Sequence, residues 1–264
     1  MTLRRPRLIP RLAVKGSNVI VTVNLEGLRV VGKPADLARR YAQDADELLY
    51  LDSVASLYGR NQLTSLLEET TDDTFIPITV GGGIKSRADA KRLFDAGADK
   101  IALNTAAILR PESIRDISGY YGSQAVVVSI EAKRVNGGWE AYTENGRQRT
   151  GKDAVAWAFE AVRLGAGELL ITSVDREGTR RGCDLDLIRA IAPNVPVPVI
   201  ACGGIGSVED VRAVAELGAC AALSSALHSG ALTVGGIRQE LDASIRPGGE
   251  HVLSNCNDGK QLQG

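Results

Sequence analysis

The sequence contains few of the residues that build disulfide bonds and metal sites. It has four cysteines, none of them spaced as in a C-x-x-C motif, and two histidines among 264 residues. Scattered single thiols are typical of proteins in a reducing compartment, and so few ligands argue against a zinc site. We therefore expect a cytoplasmic protein whose cysteines are structural, with no metal and no cofactor.

Long apolar runs and a strong charge of one sign are also absent. No run approaches the roughly 18 residues of a membrane helix, and Pro10 and Arg11 interrupt the N-terminal stretch, which argues against a signal peptide. The formal net charge of −1 gives no indication of a nucleic-acid partner. We expect no membrane partner either. Residues 246–264 are polar and glycine-rich without periodicity, which predicts a flexible tail.

Short β-branched runs alternate with longer amphipathic stretches through residues 1–245. This alternation predicts parallel strands joined by crossover helices. The predicted strands are Leu8–Val14, Glu47–Leu51, Ile76–Val80, Lys100–Asn104, Ala125–Ile130, Glu168–Thr172, Val197–Ala201 and Ala221–Ser224. Eight strands predict one closed α/β domain, a (β/α)₈ or TIM barrel, for which roughly 250 residues are typical.

The second half of this predicted barrel repeats the first. PITVGGGIKSRADAKRLFDAGADKIALNT at 77–105 resembles PVIACGGIGSVEDVRAVAELGACAALSSA at 198–226. Ile84 pairs with Ile205, at an offset of 121 residues. The repeat indicates two homologous half-barrels, which a doubly wound sheet would not require.

Glycine pairs follow two equivalent strands, at the end of the barrel where active sites of this fold lie. The pairs Gly82-Gly83 and Gly203-Gly204 allow close approach to a ligand, and free N–H groups there can hold an anion. The next strand in each half ends in polar residues, namely Asn104, Thr105, Ser224 and Ser225. The pattern predicts two equivalent phosphate sites for a small molecule phosphorylated at both ends. The alternative is that the glycines only make tight turns.

Charged residues lie at the starts of four predicted strands. They are two bases and two acids, namely Arg7, Lys100, Glu47 and Glu168. The starts of parallel strands meet at the bottom of the barrel, where burying a charge is costly unless it is paired. The four side chains could pair as a ring that gates a small neutral molecule. The alternative is a solvated rim of ordinary surface charges.

The motifs around these residues resemble the HisF family, the cyclase subunit of imidazole glycerol phosphate synthase. The resemblance covers roughly residues 5–245 and is most specific in TVGGGI, GADKIALNTAA, GSQAVVVSIEAKR and GAGELLITSVDREGT. It implies that a HisH-like glutaminase docks on the barrel bottom and that ammonia enters through a gate formed by the four charged residues. Asp99 and Gln124 match positions at the family's glutaminase interface.

The same resemblance concerns the loop after the sixth predicted strand. In the family this loop borders a phosphate site, which implies a ligand role for Asp175, Glu177 and Gly178. The two acids could instead be an ordinary solvated pair in a surface loop, and the sequence leaves both interpretations open.

The family's cyclase uses two aspartates as acid and base, and this sequence does not have both. The first position, in RLAVKG, is Ala13, and the second, in SIEAKR, is Glu131, while the loop lysine of the family aligns with Val21. Alanine cannot move a proton, and loss of a positioned acid–base group typically lowers a rate by about 10²–10⁴-fold. The resemblance therefore predicts a barrel that keeps its gate and has lost cyclase chemistry, with Glu131 as the remaining catalytic carboxylate.

Other segments resemble a subgroup of second-copy HisF-like proteins implicated in making acetamidino groups on bacterial surface sugars. These segments are NLEGLRVVGKP, VASLYGRN, SIEAKR and WEAYTENGR, although Ala13 departs from the aspartate usual in that subgroup. The resemblance favours an ammonia-channelling subunit with a HisH-like glutaminase and a sugar amidotransferase as partners, acting in lipopolysaccharide biosynthesis. Two alternatives stay open. One is the cyclase subunit of histidine biosynthesis, against which Ala13 argues, and the other is a non-catalytic scaffold that activates a glutaminase.

Overall fold

Eight parallel strands form a closed barrel in the computed structural model, which describes residues 5–53, 63–71 and 74–245. Each barrel strand pairs with the next along the chain, and the last pairs with the first. The barrel strands are β1 (Leu8–Lys15), β4 (Leu48–Asp52), β5 (Ile78–Gly81), β6 (Lys100–Leu103), β7 (Val126–Val135), β10 (Glu168–Ser173), β11 (Val199–Cys202) and β12 (Cys220–Leu223). The predicted (β/α)₈ barrel is confirmed, and the strand ends lie within two residues of those predicted, except that β7 continues to Val135.

Helices surround the barrel and pack their apolar faces against it. They are α1 (Pro34–Tyr41), α2 (Leu63–Thr71), α3 (Arg87–Asp95), α4 (Thr105–Leu109), α5 (Glu112–Tyr121), α6 (Ala154–Arg163), α7 (Leu185–Ile191), α8 (Val208–Glu216), α9 (Ser225–His228) and α10 (Val234–Ile245). In α6 the buried residues are Ala154, Trp157, Ala158 and Ala161, the spacing of a single helix face. Within the described ranges, no helix has the length and apolar character needed to span a membrane. The predicted tail, 246–264, lies outside the described residues.

The internal repeat is visible in the structure. The pair β5 and α3 recurs 121 residues later as β11 and α8, whereas β6 recurs 120 residues later as β12, which places a one-residue deletion between α8 and β12. Ser86 and Ser207 cap the equivalent helices by accepting the N–H groups of Asp89 and Asp210. The two half-barrels therefore share both their elements and their capping.

Apolar side chains fill the middle of the barrel. We call this set the interior layer, and it consists of Ile9, Leu49, Ala102, Val127, Leu170, Ile200, Cys202 and Ala222. It is separate from the larger core between strands and helices. Side chains alternate along a strand, so residues two positions before or after a member also face inward. The interior layer therefore divides the inward-facing polar residues into a lower set and an upper set.

Two antiparallel insertions follow β1 and β7 at the upper end of the barrel. In the second, β8 (Gly138–Thr143) and β9 (Gln148–Asp153) extend β7. The first, formed by β2 (Asn18–Val23) and β3 (Glu26–Gly32), was not predicted. Its turn places Asn24 and Leu25 at φ of 52° and 63°, a left-handed conformation in which glycine is usual at the second position. Because the second residue of this turn is leucine rather than glycine, the Asn-Gly signal of such a turn is missing from the sequence.

Candidate functional site

A cavity of about 480 Å³ lies at the upper end of the barrel, in its first half. This volume is within the range of small-molecule sites. Its lining includes the residues that we call the first cradle, namely Gly82, Gly83, Asn104 and Thr105. Lys85 and Arg110 also line it, and so does Glu131 from β7. The structure thus brings one predicted anion site, two bases and the predicted catalytic carboxylate to the same cavity.

The equivalent residues of the second half surround a much smaller space. We call Gly203, Gly204, Ser224 and Ser225 the second cradle. Together with Glu177 and Gly178 they line a crevice of about 10 Å³, the room of about one water molecule. The sequence predicted equivalent sites, and the structure gives them unequal room. Asp175 lines neither space, because its carboxylate accepts the N–H of Arg134 at 2.7 Å.

Glu131 lies in the mouth of the barrel, where its carboxylate accepts the N–H of Gly146 at 2.7 Å. Burial raises the pKa of Glu131 to about 7, although the Gly146 hydrogen bond and the positive charge of Arg11 act in the opposite direction. A carboxyl group that titrates near neutral pH can both give and take a proton under physiological conditions. Glu131 therefore has the properties expected of an acid–base group facing the cavity.

We expect Glu131→Gln to stabilise the folded protein above about pH 7, by at most about 3 kcal/mol. The raised pKa means that the folded state keeps a proton that the unfolded state releases. The stability that the wild-type protein gains from keeping this proton is fully present below the ordinary pKa of 4.5. It is lost as the pH rises through about 7. Urea unfolding of variant and wild type, below pH 4.5 and above about pH 7, measures the difference in their free energies of unfolding. A difference between variant and wild type that does not change with pH contradicts the prediction.

Ala13 occupies the position across from this carboxylate on β1. It is buried and lies two residues after Arg11, on the same inward-facing side of the strand. A methyl group there provides neither a proton nor a hydrogen bond. Glu131 therefore has no carboxylate partner from β1.

An ion pair that the sequence analysis did not predict lies beneath the second cradle. Arg11 and Glu177 are each 4% exposed, and Arg11 Nη1 donates to Glu177 Oε1 at 2.6 Å. Burial lowers the pKa of Arg11, but the Glu177 charge and its other neighbours more than offset this, so the guanidinium stays ionised. The one sequence signal was a base in the middle of a predicted barrel strand. Arg11 also lines the large cavity.

The thiol and the imidazole near this ion pair are neutral. Burial raises the pKa of Cys202 to about 11 and lowers the pKa of His228 to about 4. His228 contacts the Tyr41 hydroxyl at 2.8 Å and the carbonyl oxygen of Arg11 at 3.1 Å. A thiol is a poor nucleophile unless it ionises, so neither side chain has the chemistry of a catalytic pair.

The lower end of the barrel contains the four predicted charged residues, in mutual contact. Arg7 binds both Glu47, at 2.8 Å, and Glu168. Lys100 Nζ lies 2.7 Å from Glu47 and 2.9 Å from Glu168, so each base contacts each acid. The acids are 2% and 4% exposed, whereas the side chains of Arg7 and Lys100 are 31% and 18% exposed. We call this set the charged ring.

Asp99 and Gln124 lie beside the charged ring, before the neighbouring strands β6 and β7. Both residues are exposed. Asp99 accepts the N–H of Ile78 at 2.8 Å, and Gln124 donates to the carbonyl oxygen of Tyr121 at 3.1 Å. The structure therefore brings both predicted interface residues to the lower face of the barrel.

These features define a class of protein, a (β/α)₈ barrel with a ligand cavity at one end and a buried charged ring at the other. Residues 7–233 match the family described as "Histidine biosynthesis protein". The chain belongs to this family, and within it to the HisF proteins.

Three relatives carry the name "Imidazole glycerol phosphate synthase subunit HisF". The protein of Legionella pneumophila is 57% identical over 206 residues, which cover 77% of this chain and 97% of the relative. The protein of Thermobifida fusca (strain YX) is 47% identical over 249 residues, 91% and 97% of the two chains. The protein of Myxococcus xanthus (strain DK1622) is 49% identical over 251 residues, 94% and 98%.

Proposed function

We propose that this chain is the ammonia-accepting barrel subunit of a glutamine amidotransferase of the imidazole glycerol phosphate synthase type. The observation that carries the proposal is the charged ring, in which two buried acids each contact both bases. Buried charge of this kind is retained at a cost in desolvation, so a purely structural plug would be better built from apolar residues. The partner is a HisH-like glutaminase that docks on the lower face.

The interior layer supports transfer of the neutral form of ammonia. Its side chains are apolar apart from a thiol and are almost completely buried. An ammonium ion would lose its hydration there without a counter-charge, whereas neutral ammonia is far less penalised. The charged ring excludes other ions, and rearrangement of its salt bridges opens the entrance. Ammonia then reaches the cavity where Glu131 and Arg11 face the ligand.

Two acceptors of the ammonia fit different observations. The names of the relatives favour the ribonucleotide that the histidine pathway converts to imidazole glycerol phosphate. Ala13 favours an acceptor that needs no second carboxylate, such as a surface-polysaccharide sugar amidinated with the help of a sugar amidotransferase. The comparisons support the first acceptor more directly, and an assay of cyclase turnover separates the two.

We expect a stable complex with a HisH-like glutaminase at micromolar concentration, with stimulation of glutamine hydrolysis. The double variant Asp99→Asn and Gln124→Ala should weaken the complex by about tenfold or more, since it removes a charge and an amide from the proposed interface. Asparagine at position 99 still accepts the Ile78 N–H, so the fold is preserved. Size-exclusion chromatography and a glutaminase assay measure both effects.

Glu209→Gln is the matched control for this experiment. Glu209 lies on the outer helix α8, and its side chain is 72% exposed. Its removal should leave affinity and stimulation unchanged. Separate elution of the two wild-type subunits would contradict the proposed function, and equal weakening by the control would contradict the proposed interface.

A further inference from the structure

We infer that Arg11 is a catalytic residue whose guanidinium binds the carbonyl oxygen of the acceptor and stabilises the negative charge that forms there when ammonia adds. The acceptor is therefore a compound with an electrophilic carbonyl carbon. This inference deepens the proposed function by assigning the group that activates the acceptor. It rests on that function for the arrival of ammonia in the cavity.

Arg11 lies where the interior layer meets the cavity. It follows Ile9 of the interior layer on the same inward face of β1. Its Nη1 lies 3.8 Å from Sγ of Cys202, another member of that layer. Ala102, also a member, lines the cavity together with Arg11. A molecule that leaves the interior layer upward therefore enters the cavity beside this guanidinium.

The guanidinium of Arg11 has unused N–H groups. It carries five, and both hydrogen bonds of the side chain, to Glu177 and Cys202, leave from Nη1. Nε is buried and has no hydrogen-bond partner among the described residues. An unpaired buried donor is costly, which indicates that a ligand satisfies it. The bond to Glu177, at 2.6 Å, holds the guanidinium in place before the ligand arrives, so Glu177 is a positioning residue.

The surroundings of Arg11 suit the stabilisation of a developing charge. The other bases of the cavity lining, Lys85 and Arg110, are exposed, whereas Arg11 is 4% exposed. Its neighbours in the lining include the apolar Leu51 and Ala102, so its field is weakly screened by solvent. A fixed donor in such a site stabilises an oxyanion far more than the same donor in water. The guanidinium therefore lies where the carbonyl oxygen of an acceptor would need it.

The addition step balances with the groups that line the cavity. The lone pair of ammonia forms the bond to the carbonyl carbon, and the π electrons of the C=O bond move to the oxygen, which Arg11 stabilises. Glu131 takes one proton from the nitrogen and returns it to the oxygen, as a carboxyl group with a pKa of about 7 can do. The product is a carbinolamine, with a hydroxyl and an amino group on one carbon.

Turnover of the Ala13→Asp chain with ammonium salt and the histidine-pathway ribonucleotide tests the inference, because this ribonucleotide carries a ketone and ammonium salt bypasses the glutaminase. Arg11→Lys in that background keeps a cation beside Glu177 but removes the Nε donor and the planar guanidinium. We expect kcat to fall by about 10²-fold or more, the effect of removing an oxyanion donor. KM should change by less than about threefold, because the interaction forms mainly in the transition state.

Arg149→Met in the same background is the matched control. Arg149 also pairs with a buried acid, Glu140, but it is exposed and lies outside the cavity lining. We expect its kcat to stay within about twofold, since an exposed arginine contributes little through such a pair. An unchanged kcat for Arg11→Lys, a rise in KM alone, or equal losses in the two arginine variants would overturn the inference.

Nitrogen-15 NMR of the wild-type chain decides the matter even if Arg11→Lys does not fold. An excess of the ribonucleotide, added without ammonia, should move the side-chain N–H signals of Arg11 downfield as they donate to the ketone oxygen. Signals that stay in place would overturn the inference. The complex with the glutaminase forms on the opposite face, so its absence, and none of these outcomes, would contradict the proposed function.

Discussion

Replacing Ala13 by aspartate is expected to raise the rate of imidazole glycerol phosphate formation by about 10²-fold or more when ammonium salt supplies the ammonia. Position 13 lies on the inward face of β1, and its methyl group cannot transfer a proton to a substrate in the cavity that Glu131 lines. Ring closure requires protons to be moved on two sides of the substrate in the cyclase reaction that the resemblance implies. A carboxylate at position 13 restores the missing group.

Ala13→Asn is the control, because asparagine matches aspartate in size but cannot transfer a proton at neutral pH. Turnover that rises equally in both variants would show that volume or polarity, rather than proton transfer, is responsible. The wild-type rate also decides between acceptors. Turnover as fast as that of the aspartate variant would contradict the prediction and assign the protein to histidine biosynthesis. Product formed only by the aspartate variant would favour a different acceptor.

The architecture could be predicted because a parallel barrel leaves strong local signals. All eight barrel strands are short apolar runs, and the 121-residue repeat connects the two halves without any knowledge of tertiary contacts. The β2–β3 hairpin left no such signal. Val23, Leu28 and Val30 are apolar yet exposed, so its strands lack the alternation that burial of one face would impose.

The site could be predicted only in part, because only some of its features leave a local signal in the sequence. The location of the four charges follows from position, since the start of a barrel strand fixes which end of the barrel its side chain faces. Position alone left their pairing as a ring open against a solvated rim. The pairing of Arg11 with Glu177 joins residues separated by 166 positions, and no local pattern indicates it. The unequal space beside the two cradles was not predicted either, because the repeated sequence suggested equivalent sites.

The charged ring leads to the largest expected effect on stability. Glu168→Ala should lower the free energy of unfolding by about 3 kcal/mol or more, because it leaves two cations at the barrel bottom with one shared carboxylate. Glu168 is 4% exposed and contacts both Arg7 and Lys100. The same substitution should also remove the ordered entrance for ammonia, so glutamine-dependent turnover should fall more than turnover with ammonium salt. Chemical denaturation and the two assays measure these effects.

Asp242→Ala is the matched control, since it breaks a single ion pair with Arg5 in which both side chains are about half exposed. Exposed pairs of this kind contribute about 0–1 kcal/mol, so the control should be nearly neutral. A loss for Glu168→Ala as small as that of the control would mean that the four charges behave as a solvated rim. A large loss for Glu168→Ala with an unchanged ratio of glutamine-dependent to ammonium-dependent turnover would separate the two roles. The charged ring would then close the barrel bottom without controlling the entry of ammonia.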